Sequence, residues 1–157
     1  MTAPAVAPVT KQLSQQQVNE YADASDDHNP IHVDEAFAAA SPLGGTIAHG
    51  MLVLATISEM MAASLGEAWL TNGKLKVRFR APARTADTVT ASAKALTASA
   101  KALTASAKAL TASAKALTTS ATPQESADGA AYRYAVECRN QDGEVLISGT
   151  AQVAAGG

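Results

Sequence analysis

Apolar positions along this chain change period between helical and strand-like, and the changes mark its elements. Val9 to Leu13 predicts a short strand. Ser14 and Gln17 form a capping-box signature that opens a helix with Val18, Tyr21 and Ala22 on its apolar side. Asp34 predicts the cap of a short helix through Ala40, and Pro42 to Gly45 is a breaker-rich connection. From about Gly50 the apolar run Met51 to Leu65 predicts a buried helix, with Met51, Leu54, Ala55, Ser58, Met61 and Ala62 recurring at helical spacing as its core stripe. The period then falls to two. Leu75, Val77 and Phe79 are predicted to face the core, and Lys74, Lys76, Arg78 and Arg80 the other side, a solvated strand face. Further strands are predicted over 87–96, 131–140 and 144–154, the last two joined by a hairpin turn at Asn140-Gln141-Asp142-Gly143. A long helix followed by antiparallel strands is an α+β arrangement in which the sheet wraps the helix.

Thr90 to Leu117 consists of four identical copies of Thr-Ala-Ser-Ala-Lys-Ala-Leu, beginning at Thr90, Thr97, Thr104 and Thr111. One copy suits a strand, with Val89, Ala91, Ala93 and Ala95 inward and Thr90, Ser92 and Lys94 in water. Seven is odd, so a strand continued into the next copy would turn its polar residues onto the core face. Residues 97–117 are therefore predicted to be an inserted, solvated excursion. The alternative is self-association through the seam of Leu96, Leu103, Leu110 and Leu117, which a helix keeps nearly aligned. That seam is weak, having leucine at one heptad position only.

The chain has 157 residues, is 47% hydrophobic and only 4% aromatic, which predicts a single Ala-rich domain over 1–157 with a flexible Pro/Ala tail at 1–8. Twelve basic residues stand against 14 acidic ones, and four of the twelve are the heptad lysines Lys94, Lys101, Lys108 and Lys115. The remaining acidic excess argues against nucleic-acid binding. A lone cysteine, Cys138, excludes an internal disulfide and reads as a core filler. Neither a signal-peptide pattern nor a membrane span is read, so the cytoplasm is the expected compartment. His28, His32 and His49 are too few and too differently placed to give a recognised metal-ligand spacing.

Candidate chemistry lies in Asp27-His28-Asn29-Pro30-Ile31-His32. A carboxylate and an imidazole stand five residues apart around a proline that stiffens the backbone between them, predicting a shaped loop rather than the middle of a helix. Asp27 and His32 can converge there on one water, with Asn29 bracing the turn through its amide. The bland reading is a turn cap and a satisfied loop histidine. A second segment, Ile47-Ala48-His49-Gly50-Met51-Leu52, opens the buried helix, so that Gly50 stands where backbone N–H groups lack intrahelical partners and can hold a developing oxyanion. For Ser58 on that helix, a bond back to its own backbone competes with a role in the site.

Together, Tyr21-Ala22-Asp23-Ala24-Ser25-Asp26, Asn29-Pro30-Ile31-His32-Val33-Asp34 and Ala48-His49-Gly50-Met51 resemble the hydratase motif of the MaoC-like (R)-specific enoyl-CoA hydratases. The resemblance covers roughly residues 9–96 and 130–154. It implies a hot-dog fold and a homodimer. It also implies reversible hydration of a trans-2-enoyl thioester, carried by CoA or an acyl-carrier protein, with no cofactor. On it, Asp27 and His32 match the catalytic pair, Gly50 the oxyanion donor, and Ser58 a helix serine facing the site. One departure is Asp26, where the family pattern has glycine, which sets a second carboxylate beside Asp27. Two other function classes remain open at this point. One is a hot-dog thioesterase using Glu59 of the central helix; the other is a non-catalytic acyl-binding or assembly protein in which the heptads do the work.

Overall fold

The computed structural model describes residues 2–96 and 131–154. The readings made for 97–117 lie outside them. Five strands, β1 (Val9–Gln12), β2 (Lys74–Phe79), β3 (Thr88–Ala95), β4 (Ala131–Arg139) and β5 (Val145–Ala154), form one sheet in the order β1-β3-β4-β5-β2. Every neighbouring pair is antiparallel. The first repeat copy enters β3 in the predicted alternation as far as Ala93, with Val89 and Ala91 buried, Ala93 half-buried, and Ser92 and Lys94 exposed; Ala95, predicted to face inward, is exposed at the strand's end. β4 and β5 are joined at the predicted turn, where Gly143 takes φ 81° and Asn140 N–H donates to the Glu144 carbonyl at 3.1 Å.

Helix α4 (Gly50–Leu65) packs against β1, β3 and β4, which is the hot-dog arrangement of a sheet wrapped on a long helix. Its buried side chains are Val53, Thr56, Ile57, Met60 and Met61. The core stripe predicted from the sequence is therefore rotated: of its members only Met61 is buried, and Met51 is 57% exposed. An almost wholly apolar helix carries little directional signal, and the choice of face falls to the sheet. Burial of one Ile or Met side chain contributes roughly 1.5–3 kcal/mol. A second correction concerns Phe79, predicted to face the core but 53% exposed, while Leu75 and Val77 pack on the core's margin. β2 is an edge strand, and Phe79 ends it beside the start of α4.

The segments before α4 hold the candidate residues. The capping box at Ser14 and Gln17 is complete and opens α1 (Gln15–Ser25). That helix ends at Asp26, whose φ of 56° is left-handed. This conformation accounts for the departure from the family pattern: glycine occupies such a C-terminal position without strain, and aspartate is among the few residues that tolerate it. Asp26→Gly is expected to raise stability by about 0.5–1 kcal/mol, read as a higher midpoint in a thermal melt.

Pro30 begins a single helical turn, α2 (Pro30–Val33), in which Asn29 is the N-cap and accepts from Ile31 N–H at 3.2 Å. The shaped loop expected over this stretch is thus half loop and half helix, because proline's fixed φ suits the first helical position. α3 (Glu35–Ala40) follows, capped by Asp34 as predicted. After α4, a short α5 (Glu67–Asn72), which the sequence reading lacked, brings Trp69 into the core.

Several residues of the Pro/Ala tail at 1–8 touch the body of the fold. Ala3 and Val6 pack on the core, the Tyr134 hydroxyl donates to the Pro4 carbonyl at 3.1 Å, and Ala7 N–H donates to Ser64 Oγ at 3.2 Å. Small apolar residues suffice there, because α4 and the sheet leave a seam for them.

Candidate active site

Asp27 follows the left-handed residue that ends α1, so its amide turns back to the Ala22 carbonyl at 3.2 Å and its side chain leaves the helix axis. Asn29 N–H approaches Asp27 Oδ1 at 3.4 Å, so the carboxylate is braced by the turn that starts α2. One turn later His32 is buried. Its backbone carbonyl accepts from Gln15 Nε2 at 2.8 Å, and its ring Nδ1 lies 2.8 Å from the Ile47 carbonyl. A carbonyl only accepts, so that bond places the proton on Nδ1 and leaves a lone pair on Nε2.

The segment 46–49 connects the pair to the rest of the fold. Ile47 N–H donates to the Ile31 carbonyl at 3.2 Å, and Ala48 N–H donates to the Ala83 carbonyl at 2.8 Å. Next to it, His49 is buried against both site residues. Its Nε2 is 2.8 Å from the Asp27 carbonyl and 4.0 Å from Asp27 Oδ2, and its ring stacks on His32 with centroids 3.8 Å apart. Of the three histidines, His32 and His49 come together despite their unrecognised sequence spacing, whereas His28 lies 3.8 Å from exposed Asp23. Sequence reasoning missed His49 as a site residue. Its signal was a polar residue between Ala48 and the apolar run, directly before Gly50.

Ligating atoms of Asp27, His32 and His49 all lie within 4.8 Å of one another, close enough to raise the question of a metal. The hydrogen bonds weigh against one. His49 Nε2 is already spent on a carbonyl, and two stacked rings do not aim their lone pairs at a common point.

Gly50 is the first residue of α4, and its N-cap, His49, makes no side-chain capping bond, so the helix's first N–H groups are left for another acceptor. Gly50 and His32 both line a cavity of about 340 Å³, together with Val53, Phe79, Arg80 and Ile147. Its wall is largely apolar, with His32, Arg80 and the helix terminus as polar points. Asp27, Asn29 and Ser58 are not among its lining residues. Asp27 stands at the surface with its side chain 55% exposed. Ser58 accepts from Trp69 Nε1 at 3.1 Å, a partner on α5 that neither sequence reading of this hydroxyl included. Glu59 forms an ion pair with Lys11 of β1. Cys138 is fully buried in β4, where desolvation pushes its thiol up to about 11, as suits a core filler.

Residues 2–118 match the MaoC like domain family, more than half of the chain. The chain belongs to that family. Among curated MaoC-like relatives it is 40% identical over 85 residues to 3-hydroxyacyl-thioester dehydratase Z of Mycobacterium tuberculosis (strain ATCC 25618 / H37Rv), covering 52% of this chain and 56% of that one. It is 35% identical over 86 residues to the (R)-specific enoyl-CoA hydratase of Rhodospirillum rubrum, covering 55% and 60%. The chain thus spans little more than half the length of these relatives. The solved structure of the (R)-hydratase from A. caviae involved in PHA biosynthesis superposes with a TM-score of 0.69 at 22% identity, covering 99% of this chain and 98% of that one. Unliganded R-hydratase PhaJ1 from Pseudomonas aeruginosa gives 0.68 at 23%, covering 99% and 82%. The fold of this MaoC-like chain is the hot-dog.

Proposed function

We propose that this MaoC-like chain reversibly hydrates a trans-2-enoyl thioester to the (R)-3-hydroxyacyl thioester, with Asp27 and His32 as the acting pair. The observation that carries the reading is the convergence of the Asp27 carboxylate and the His32 imidazole beside the open N-terminus of α4, at the edge of an apolar cavity. The acyl chain occupies that cavity, and its thioester oxygen accepts from Gly50 N–H. Withdrawal of electrons through the carbonyl makes C3 electrophilic. Water held by the pair then bonds C3 through its oxygen, while the proton it gives up is returned by the pair to C2. The lone pair on His32 Nε2 supports that nitrogen as the first proton acceptor. One water is consumed, the protein ends in its starting protonation state, and the cycle needs no cofactor or metal.

Asn29 acts by bracing Asp27 and capping α2. Ser58, outside the cavity lining, acts by accepting from Trp69 and tying α5 to α4. The substrate partner is an acyl thioester of CoA or a carrier protein. A second copy of the chain covers the exposed Met51 and Phe79 near the site, giving a homodimer of single domains with 97–117 inserted in each. No described helix is long and apolar enough to cross a membrane. The thioesterase alternative has less support, since Glu59 does not line the cavity and its carboxylate is turned to Lys11 of β1.

Crotonyl-CoA tests the reading. Loss of enoyl absorbance without release of free thiol is the expected result. Thiol release instead means hydrolysis, and no change in either signal, with crotonyl-CoA and a panel of longer enoyl thioesters, favours the non-catalytic acyl-binding protein.

A further inference from the structure

We propose that His49 is the positioning residue of the acid/base pair: its Nε2–H fixes the Asp27 backbone while its ring face fixes the plane of His32. The proposal rests on the hydratase reading above and deepens it. As the N-cap of a 16-residue helix, His49 stands where a side chain usually accepts from the helix's own first N–H groups, yet it makes no such bond. Its ring is turned the other way. Nε2 lies 2.8 Å from the Asp27 carbonyl, which can only accept, so Nε2 carries the proton and Nδ1 the lone pair.

That Nδ1 is buried and, among the described residues, has no hydrogen-bond partner, in a residue only 3% exposed. A buried acceptor without a partner is costly, and a leucine or phenylalanine would fill the same space without it. Packing alone therefore does not explain an imidazole here. The other ring nitrogen does, because the Asp27 segment has few other restraints. The Asp27 side chain is 55% exposed, and among the described residues its segment is held by the amide bond to Ala22, the long Asn29 contact to the carboxylate and the His49 bond to the carbonyl. On the second side, the His49 ring lies 3.8 Å from His32 at an interplanar angle of 28°. His32 already has its in-plane direction set by the Ile47 carbonyl, so a stacked neighbour removes the remaining freedom to tilt. One buried side chain thus ties the loop that carries Asp27 to the helical turn that carries His32. His49 itself is absent from the cavity lining.

The test compares His49→Phe, His49→Gln and His49→Asn with the wild type in steady-state crotonyl-CoA kinetics, with circular dichroism and a melt of each. Glutamine carries an amide N–H at about the reach of Nε2, whereas asparagine carries the same group one methylene short. His49→Asn and His49→Phe are expected to lower kcat by about 10²-fold, the scale of a 1 Å misplacement, with KM within about threefold of wild type. His49→Gln is expected to recover kcat to within about tenfold, since it restores the donor but not the stacked ring. If the phenylalanine variant fails to fold, the two amides decide, because they differ only in reach. Equal loss in glutamine and asparagine, or kcat near wild type in asparagine, overturns the proposal. So does a loss that tracks the melting temperature rather than the donor. Wild-type protein without hydration activity sinks the hydratase reading and this proposal with it, whereas active wild type with indifferent His49 variants sinks this proposal alone.

Discussion

Asp27→Asn and His32→Asn are each expected to lower turnover of an enoyl thioester by about 10²- to 10⁴-fold, the range for a general acid or base, while leaving the protein folded. Asparagine is isosteric with aspartate and keeps an oxygen for the Asn29 amide, so the turn before α2 survives while the charge is lost. At position 32 an asparagine amide can stand where Nδ1 stands, donating to the Ile47 carbonyl, but it has nothing at Nε2. The two variants therefore remove the proton-handling atoms and spare the bonds that shape the site. Because both groups are assigned to a single water, the double variant should be scarcely slower than the slower single one. Rates with crotonyl-CoA on variants of native circular dichroism check this. Near wild-type turnover in either single variant would mean that the proton passes elsewhere.

Signals that survive in one dimension were readable from the sequence, and signals set by packing were not. The capping box at Ser14, the Asp34 cap, the alternation of β3 and the Asn140 to Gly143 turn are local, each specified by a few adjacent side chains, and each stands where it was expected. The buried face of α4 is not local. Its sequence is apolar nearly all round, so Val53 and Ile57 were chosen over Met51 and Ala55 by the strands that reached them. Phe79 was misplaced for a related reason, since period-two alternation says which residues share a side of β2 but not where an edge strand runs past the core. In the candidate site, Asp27, His32 and Gly50 stood out because proline and glycine punctuate the chain beside them. His49 did not, because its importance lies in a bond to a main-chain carbonyl 22 residues away, which no spacing rule encodes.

Gly50→Val is expected to lower kcat/KM by at least about 10²-fold, the scale for loss of one oxyanion donor, with only a modest fall in melting temperature. The stability effect is small because the first turn of α4 tolerates most side chains, valine included. The functional effect is large for two separable reasons. A Cβ at this position would lie 3.0 Å from Phe79 Cε1 and 3.4 Å from Cδ1 and Cζ, so the phenylalanine must give way and the cavity it lines is reshaped. The same Cβ also stands over the N–H that the thioester oxygen is to reach, where glycine alone leaves the backbone bare. Gly50→Ala separates degree, needing Phe79 to move only a few tenths of an ångström, and should fall between wild type and valine. Gly50→Val combined with Phe79→Ala separates cause, since it relieves the clash with the ring but leaves the N–H covered. If Gly50 is the oxyanion donor, the double variant stays as slow as Gly50→Val; recovery to the rate of Phe79→Ala alone would make the glycine a spacer for Phe79 and move the oxyanion site to another group.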